Sequence, residues 1–129
     1  MIMDWVESLP SQCPPADALP PEGEYYRAVS SDCSESDFIP YARLYPNRKY
    51  RGAMACTARS LSVYTSYEDC VAATKLPSLQ DLGQTSIARI TLTEKDGLVK
   101  KGNGSHYSWW RTRDFNIDAS VEPANSPGL

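Results

Sequence analysis

The clearest pattern in the chain runs from Ile87 to Thr93, where Ala88, Ile90 and Leu92 alternate with Arg89 and Thr91. A period of two puts the apolar set on one face of a β-strand and the polar set on the other. Glu94-Lys95-Asp96-Gly97 follows, a connection of hairpin length ending in glycine, with Leu98 to Lys101 as the partner strand. Leu61 and Val63 alternate in the same way with Ser60, Ser62 and Tyr64. Glu24 to Ser30 is rich in Tyr and Val between turn residues, and His106 to Arg111 is an aromatic run after the Gly102-Asn103-Gly104 turn. These segments predict strands near 24–30, 60–64, 87–93, 98–101 and 106–111.

Helical spacing is clearest after Ser66. Tyr67, Cys70, Val71 and Thr74 recur at helical intervals, Ser66 is placed to cap, and Glu68 and Asp69 occupy the acid-favouring first turn. Pro77 is expected to stop this helix after Lys75. Trp5, Val6 and Leu9 share a face if residues 4–9 form one helical turn. The expected fold is α+β: a small, mostly antiparallel sheet of about five strands with one or two helices. Pro10, Pro14, Pro15, Pro20 and Pro21 rule out regular structure before Gly23. Residues 1–23 are therefore expected to be a Pro-rich arm anchored by Trp5, 24–115 a single domain, and 116–129 a flexible tail.

A chain of 129 residues suits one domain. Met1 to Leu9 carries Asp4 and Glu7 and no basic stretch, unlike a secretory signal, and no apolar run is long enough to span a membrane. A cytoplasmic protein is expected. On that basis Cys13, Cys33, Cys56 and Cys70 are expected to be free thiols, and their wide spacing argues against a zinc site.

Charge is segregated. Residues 1–40 hold eight acids against Arg27, whereas 41–59 hold Arg43, Arg48, Lys49, Arg51 and Arg59 with no acid. Tyr41, Tyr45 and Tyr50 interleave with these bases. Such a segment can clamp a phosphate and stack a base, or it can bind the protein's own acidic arm. A net charge of −3 and a pI near 5.1 disfavour nucleic acid as the main partner.

Trp109 and Trp110 are adjacent, so they point to opposite faces of a strand. One can fill the core. The other is left to be covered by the arm or to lie at a binding surface. His106 is the single histidine; in a strand it serves more often as a hydrogen-bonded structural residue than as a catalyst. Nothing in the spacing requires a Cys56–His106 pair, and no Gly-x-Ser-x-Gly elbow is present.

Arg27 in an early strand, followed by the serine strand of Ser60 and Ser62, resembles the arrangement in small ADP-ribosyltransferases. The resemblance implies that Arg27 holds the phosphates of NAD and that Ser60 or Ser62 supports the nicotinamide pocket. The glutamate that orients the ribose in that family has no match, because Glu68 falls in the first turn of a helix.

No complete catalytic set emerges, and no cofactor or metal is expected. The principal expectation is a non-catalytic interaction module docking to another protein through Tyr45, Arg48, Tyr50, Arg51, Trp109, Trp110 and Arg111, residue types enriched at hot spots. The alternatives are an NAD- or nucleotide-handling enzyme using Arg27, Ser62 and His106, or a domain that binds a small phosphorylated ligand.

Overall fold

The computed structural model describes residues 3–124. Within them, β1 (Gly23–Val29), β2 (Leu61–Tyr64), β3 (Ser86–Leu92), β4 (Gly97–Lys101), β5 (His106–Arg111) and β6 (Val121–Pro123) form one antiparallel sheet. The strand order is β4-β5-β2-β1-β3-β6. The fold is α+β. The alternating segments became strands because each presents an apolar face to a core. Tyr25, Leu61, Val63, Ile90, Leu92, Val99 and Trp109 form the larger core with Phe38 and Phe115. A smaller cluster of Tyr26, Ala28, Cys70 and Ala124 is the second core.

Five short helices accompany the sheet among the described residues: α1 (Tyr41–Leu44), α2 (Ala53–Thr57), α3 (Tyr67–Ala73), α4 (Pro77–Asp81) and α5 (Ile117–Ser120). This is more than the one or two expected, because helices of four or five residues are too short to show a 3.6-residue period. α3 is the helix predicted after Ser66, whose hydroxyl accepts from the Asp69 N–H at 3.2 Å. Pro77 does not simply close it. The ring occupies the first turn of α4, where a missing N–H costs nothing.

The segment from 116 is not a free tail as far as it is described. Asn116 caps α5 by accepting from the Ala119 N–H, and β6 then pairs with β3 through Val121, Glu122 and Pro123. Proline is tolerated there because β6 is an edge strand. The remainder of the expected tail, residues 125–129, lies outside the described residues.

The Pro-rich arm lies along the domain. Residues 4–9 do not form a helical turn; Trp5 instead makes a β-bridge with Thr112, and Leu19 makes another with Val99. Backbone bonds from Val6 to Arg111 and from Arg113 to Asp4 hold its start. Its acids spread their pairing: Glu7 with Arg43, Asp17 with Lys100, and Asp4 with Arg113. Only the first of these partners belongs to the basic segment.

Two of the four cysteines overturn the free-thiol expectation. Cys13 and Cys56 form a disulfide across 43 residues, and Cys33 and Cys70 remain free. Wide spacing gave no signature because the arm's path, rather than local sequence, brings Cys13 to α2. Burial pushes the Cys70 thiol up to about 12, so it is inert at neutral pH. No helix is long and apolar enough to cross a membrane, among the described residues.

Closing a loop of 43 residues stabilises the fold through the unfolded chain, by about 4 kcal/mol in the loop-entropy account. The double variant Cys13→Ser/Cys56→Ser, and the wild type under reductant, should each lose a large part of that amount in urea unfolding. Unchanged midpoints in both would show that the bridge contributes nothing.

Candidate functional site

β1 pairs with β3 along all seven of its residues but with β2 only at Tyr26↔Tyr64. Where the β1–β2 ladder stops, Arg27 takes over. Its Nη1 donates to the Ser62 carbonyl at 2.7 Å, while Nε and Nη2 donate to the Asp37 carbonyl at 3.1 and 2.7 Å. The guanidinium also lies 5.5 Å from the centroid of the Phe38 ring. Asp37 is held in turn: its carboxylate accepts from the Ser30 N–H, the Ser30 hydroxyl and the Ser34 N–H.

Arg27 is 7% exposed, and no carboxylate among the described residues is bonded to it. Burial lowers its pKa to about 10, opposed chiefly by the nearby charge of Asp37, so the residue stays cationic at pH 7. A guanidinium carries five N–H donors in a fixed fork. Three donors serve the two carbonyls, leaving one N–H on each terminal nitrogen.

β2 and β5 build the neighbouring wall. Their register sets Ser62 opposite Ser108 and Tyr64 opposite His106, so these polar side chains share one face while Leu61, Val63, Tyr107 and Trp109 share the other. His106 Nε2 and Ser62 Oγ are 2.9 Å apart in a hydrogen bond. The turn before β5 places the imidazole. Gly102 N–H donates to the His106 carbonyl at 2.7 Å, and a Cβ at Gly102 would come within 2.7 Å of His106 Nδ1. Only glycine leaves room for the ring there.

Arg27, Ser62 and His106 therefore open onto one cavity of about 270 Å³, together with Tyr64, Gln84 and Ser108. That volume is close to the lower end of the range of about 300–1,000 Å³ for small-molecule sites. α1, α2 and α4 roof it with Tyr41, Leu44, Met54, Leu79 and neighbours. Tyr41, Met54 and Leu76 are 39%, 60% and 51% exposed and form an apolar rim. No carboxylate lines it among the described residues, so its one charged wall group is Arg27. Among the described residues there is also no cluster of His, Cys, Asp or Glu able to hold a metal.

The residues expected at a docking surface are scattered. Trp109 and Trp110 are 0% and 1% exposed, so neither can be a surface hot spot. Trp109 donates to the Asp96 carbonyl and meets Phe38 and Phe115 edge-on. Trp110 donates to the carbonyl of Cys56, the residue bridged to the arm, which accounts for the second tryptophan. Arg111 is largely buried and paired with Glu35. Arg48 stacks over Tyr45 at 4.0 Å, Tyr50 donates to the carbonyls of Tyr41 and Tyr45 and lines the cavity, and Arg51 is exposed. Cys56 cannot act as a thiolate beside His106, because it is in the disulfide.

Comparison with protein-family models, curated proteins and solved structures finds no match for this chain. A cation, the hydroxyls of Ser62, Tyr64 and Ser108, an imidazole and an apolar roof can bind an anionic group and a flat apolar one side by side. The dyad alone is poorly equipped for serine attack, since His106 Nδ1 has no bonded partner among the described residues to orient it. Sequence reasoning missed Gln84, Tyr64 and the apolar roof, because they come from segments with no motif.

Burial holds His106 below the ordinary histidine value. The unfolded chain then binds a proton at a higher pH than the folded chain does, so the folded state is disfavoured as pH falls. Stability should be full above a pH of about 6.5, drop as pH falls toward the lowered pKa of His106, and level off below it. The wild type should lose more stability between pH 7 and pH 5 than His106→Asn does. Equal losses in urea unfolding would refute this.

Proposed function

We propose that the chain binds a small nucleotide-class ligand in the cavity above β2, with Arg27 as the phosphate anchor. The supporting observation is convergence: Arg27, Ser62 and His106 are separated by 35 and 44 residues, yet they meet at one opening. A buried cation whose direct partners are carbonyls still lacks a counter-charge in contact, and a phosphate supplies one. The hydroxyls of Ser62, Ser108 and Tyr64 suit a ribose, and Tyr41 with the aliphatic roof suits a heterocycle. NAD is one candidate, because of the resemblance of Arg27 and the serine strand to ADP-ribosyltransferases. The late-strand residue hydrogen-bonded to Ser62 is His106 and not a carboxylate, so the ribose contact would differ from the one that family makes.

The docking-module reading draws less support. Its tryptophans are interior, and its best remaining surface is Arg48 stacked on Tyr45 beside Arg51. The disulfide supports an oxidising compartment over the cytoplasm.

Calorimetry should show ADP and NAD binding to the full chain. Adenosine, which lacks the anion, should bind at least about tenfold more weakly, since hydrogen bonds to charged groups are worth about 1.5–3 kcal/mol. Ser62→Ala should weaken ADP binding several-fold, and Arg48→Ala should leave it unchanged. Folded protein that binds none of these ligands, or binding that Ser62→Ala and His106→Ala both leave intact, would overturn the reading.

A further inference from the structure

Gln84 is 6% exposed and lines the same cavity as Arg27. Its backbone is locked by the end of α4. Gly83 takes a φ of +69°, its N–H donates to the Gln80 carbonyl at 3.0 Å, and the Gln84 N–H donates to the Leu79 carbonyl at 2.9 Å. These paired bonds are the Schellman arrangement, which needs a residue comfortable at positive φ at the position of Gly83.

The side chain of Gln84 is not used by the fold. Its neighbour Gln80 donates Nε2 to the Thr74 carbonyl at 2.8 Å. Gln84 has no side-chain hydrogen bond to any described residue, and its amide is not sealed off in the interior. A buried carboxamide left unpaired is costly unless something meets it. Here the opening onto the cavity allows a ligand to do so.

A primary amide presents an N–H donor beside a carbonyl acceptor in a single plane. A carboxylate at this position would offer only acceptors, and a guanidinium only donors. The matching edge on a ligand is an acceptor beside an N–H donor on a flat ring, as on adenine or on an aromatic carboxamide. Leu79 and Leu82, which precede Gln84 in sequence, line the same cavity and supply apolar contact for such a ring. We propose that Gln84 is the specificity-determining residue of the cavity: it reads a mixed donor–acceptor edge on a planar heteroaromatic ring. This rests on the nucleotide reading of the site, with Arg27 holding the phosphate and Gln84 choosing the ring.

The test uses two matched pairs of mononucleotides with the folded full chain. AMP is compared with purine riboside 5′-monophosphate, which lacks the amino donor. Nicotinamide mononucleotide is compared with nicotinic acid mononucleotide, in which the carboxamide is a carboxylate. One pair should show a preference of about tenfold for the member carrying the N–H donor, the scale set by leaving a buried polar group unpaired. The pair that discriminates identifies the ring. Gln84→Met, which keeps the side-chain length but removes the amide, should abolish that preference, and Gln84→Asn, which retracts the same amide by one methylene, should reduce it. Equal affinity within both pairs, or a preference that survives Gln84→Met, overturns the role of Gln84 while phosphate binding stands. If none of the four mononucleotides binds, the nucleotide reading fails and this inference fails with it.

Discussion

The guanidinium of Arg27 is the contact on which the centre of the molecule depends. Burying a cation costs several kcal/mol even after relaxation. Here the cost is offset by three hydrogen bonds to carbonyls, the ring of Phe38 and the nearby charge of Asp37. The bonds connect pieces that the ladder joins at one residue pair only or not at all. One goes to β2, where β1 no longer reaches it, and two go to the turn at Asp37. That turn is itself fastened to the end of β1 by the Asp37 carboxylate on Ser30. A junction that the backbone ladder makes only at Tyr26↔Tyr64 is extended by a side chain, and the Arg27 that extends it lines the cavity.

The two faces of β2 and β5 then do different work. On one face Leu61, Val63 and Trp109 belong to the main core, and their burial holds the strands in register. On the other, Ser62, Tyr64, His106 and Ser108 are left for the cavity. A one-residue slip would exchange the two sets, so the apolar face fixes which polar groups meet the cavity. The roof is less strongly fixed by local structure. α1, α2 and α4 are only four or five residues long and have little stability alone. They are held by tertiary ties: Arg43 of α1 to Glu7 of the arm, Cys56 of α2 to Cys13 of the arm, and the Cys56 carbonyl to the indole of Trp110. The arm thus acts on the site at a distance by anchoring the helices that cover it.

What the sequence determined alone was β1 to β5 and the capped helix. Alternation over Leu61–Tyr64 and Ser86–Leu92, and the cap at Ser66, are local patterns whose physics lies within a few residues. Arg27, Ser62 and His106 were visible as chemistry in one of several open readings. Whether they met depended on strand order, which the chain does not spell out. The same is true of Trp109 and Trp110. Their opposite orientation follows from strand geometry, but whether the second was covered depended on where Cys56 and the arm lay. The disulfide, β6 and the unengaged amide of Gln84 were decided by tertiary structure alone. Each is a contact or an orientation set by segments far apart in sequence, and no period, spacing or propensity records the distance between two points that only folding brings together.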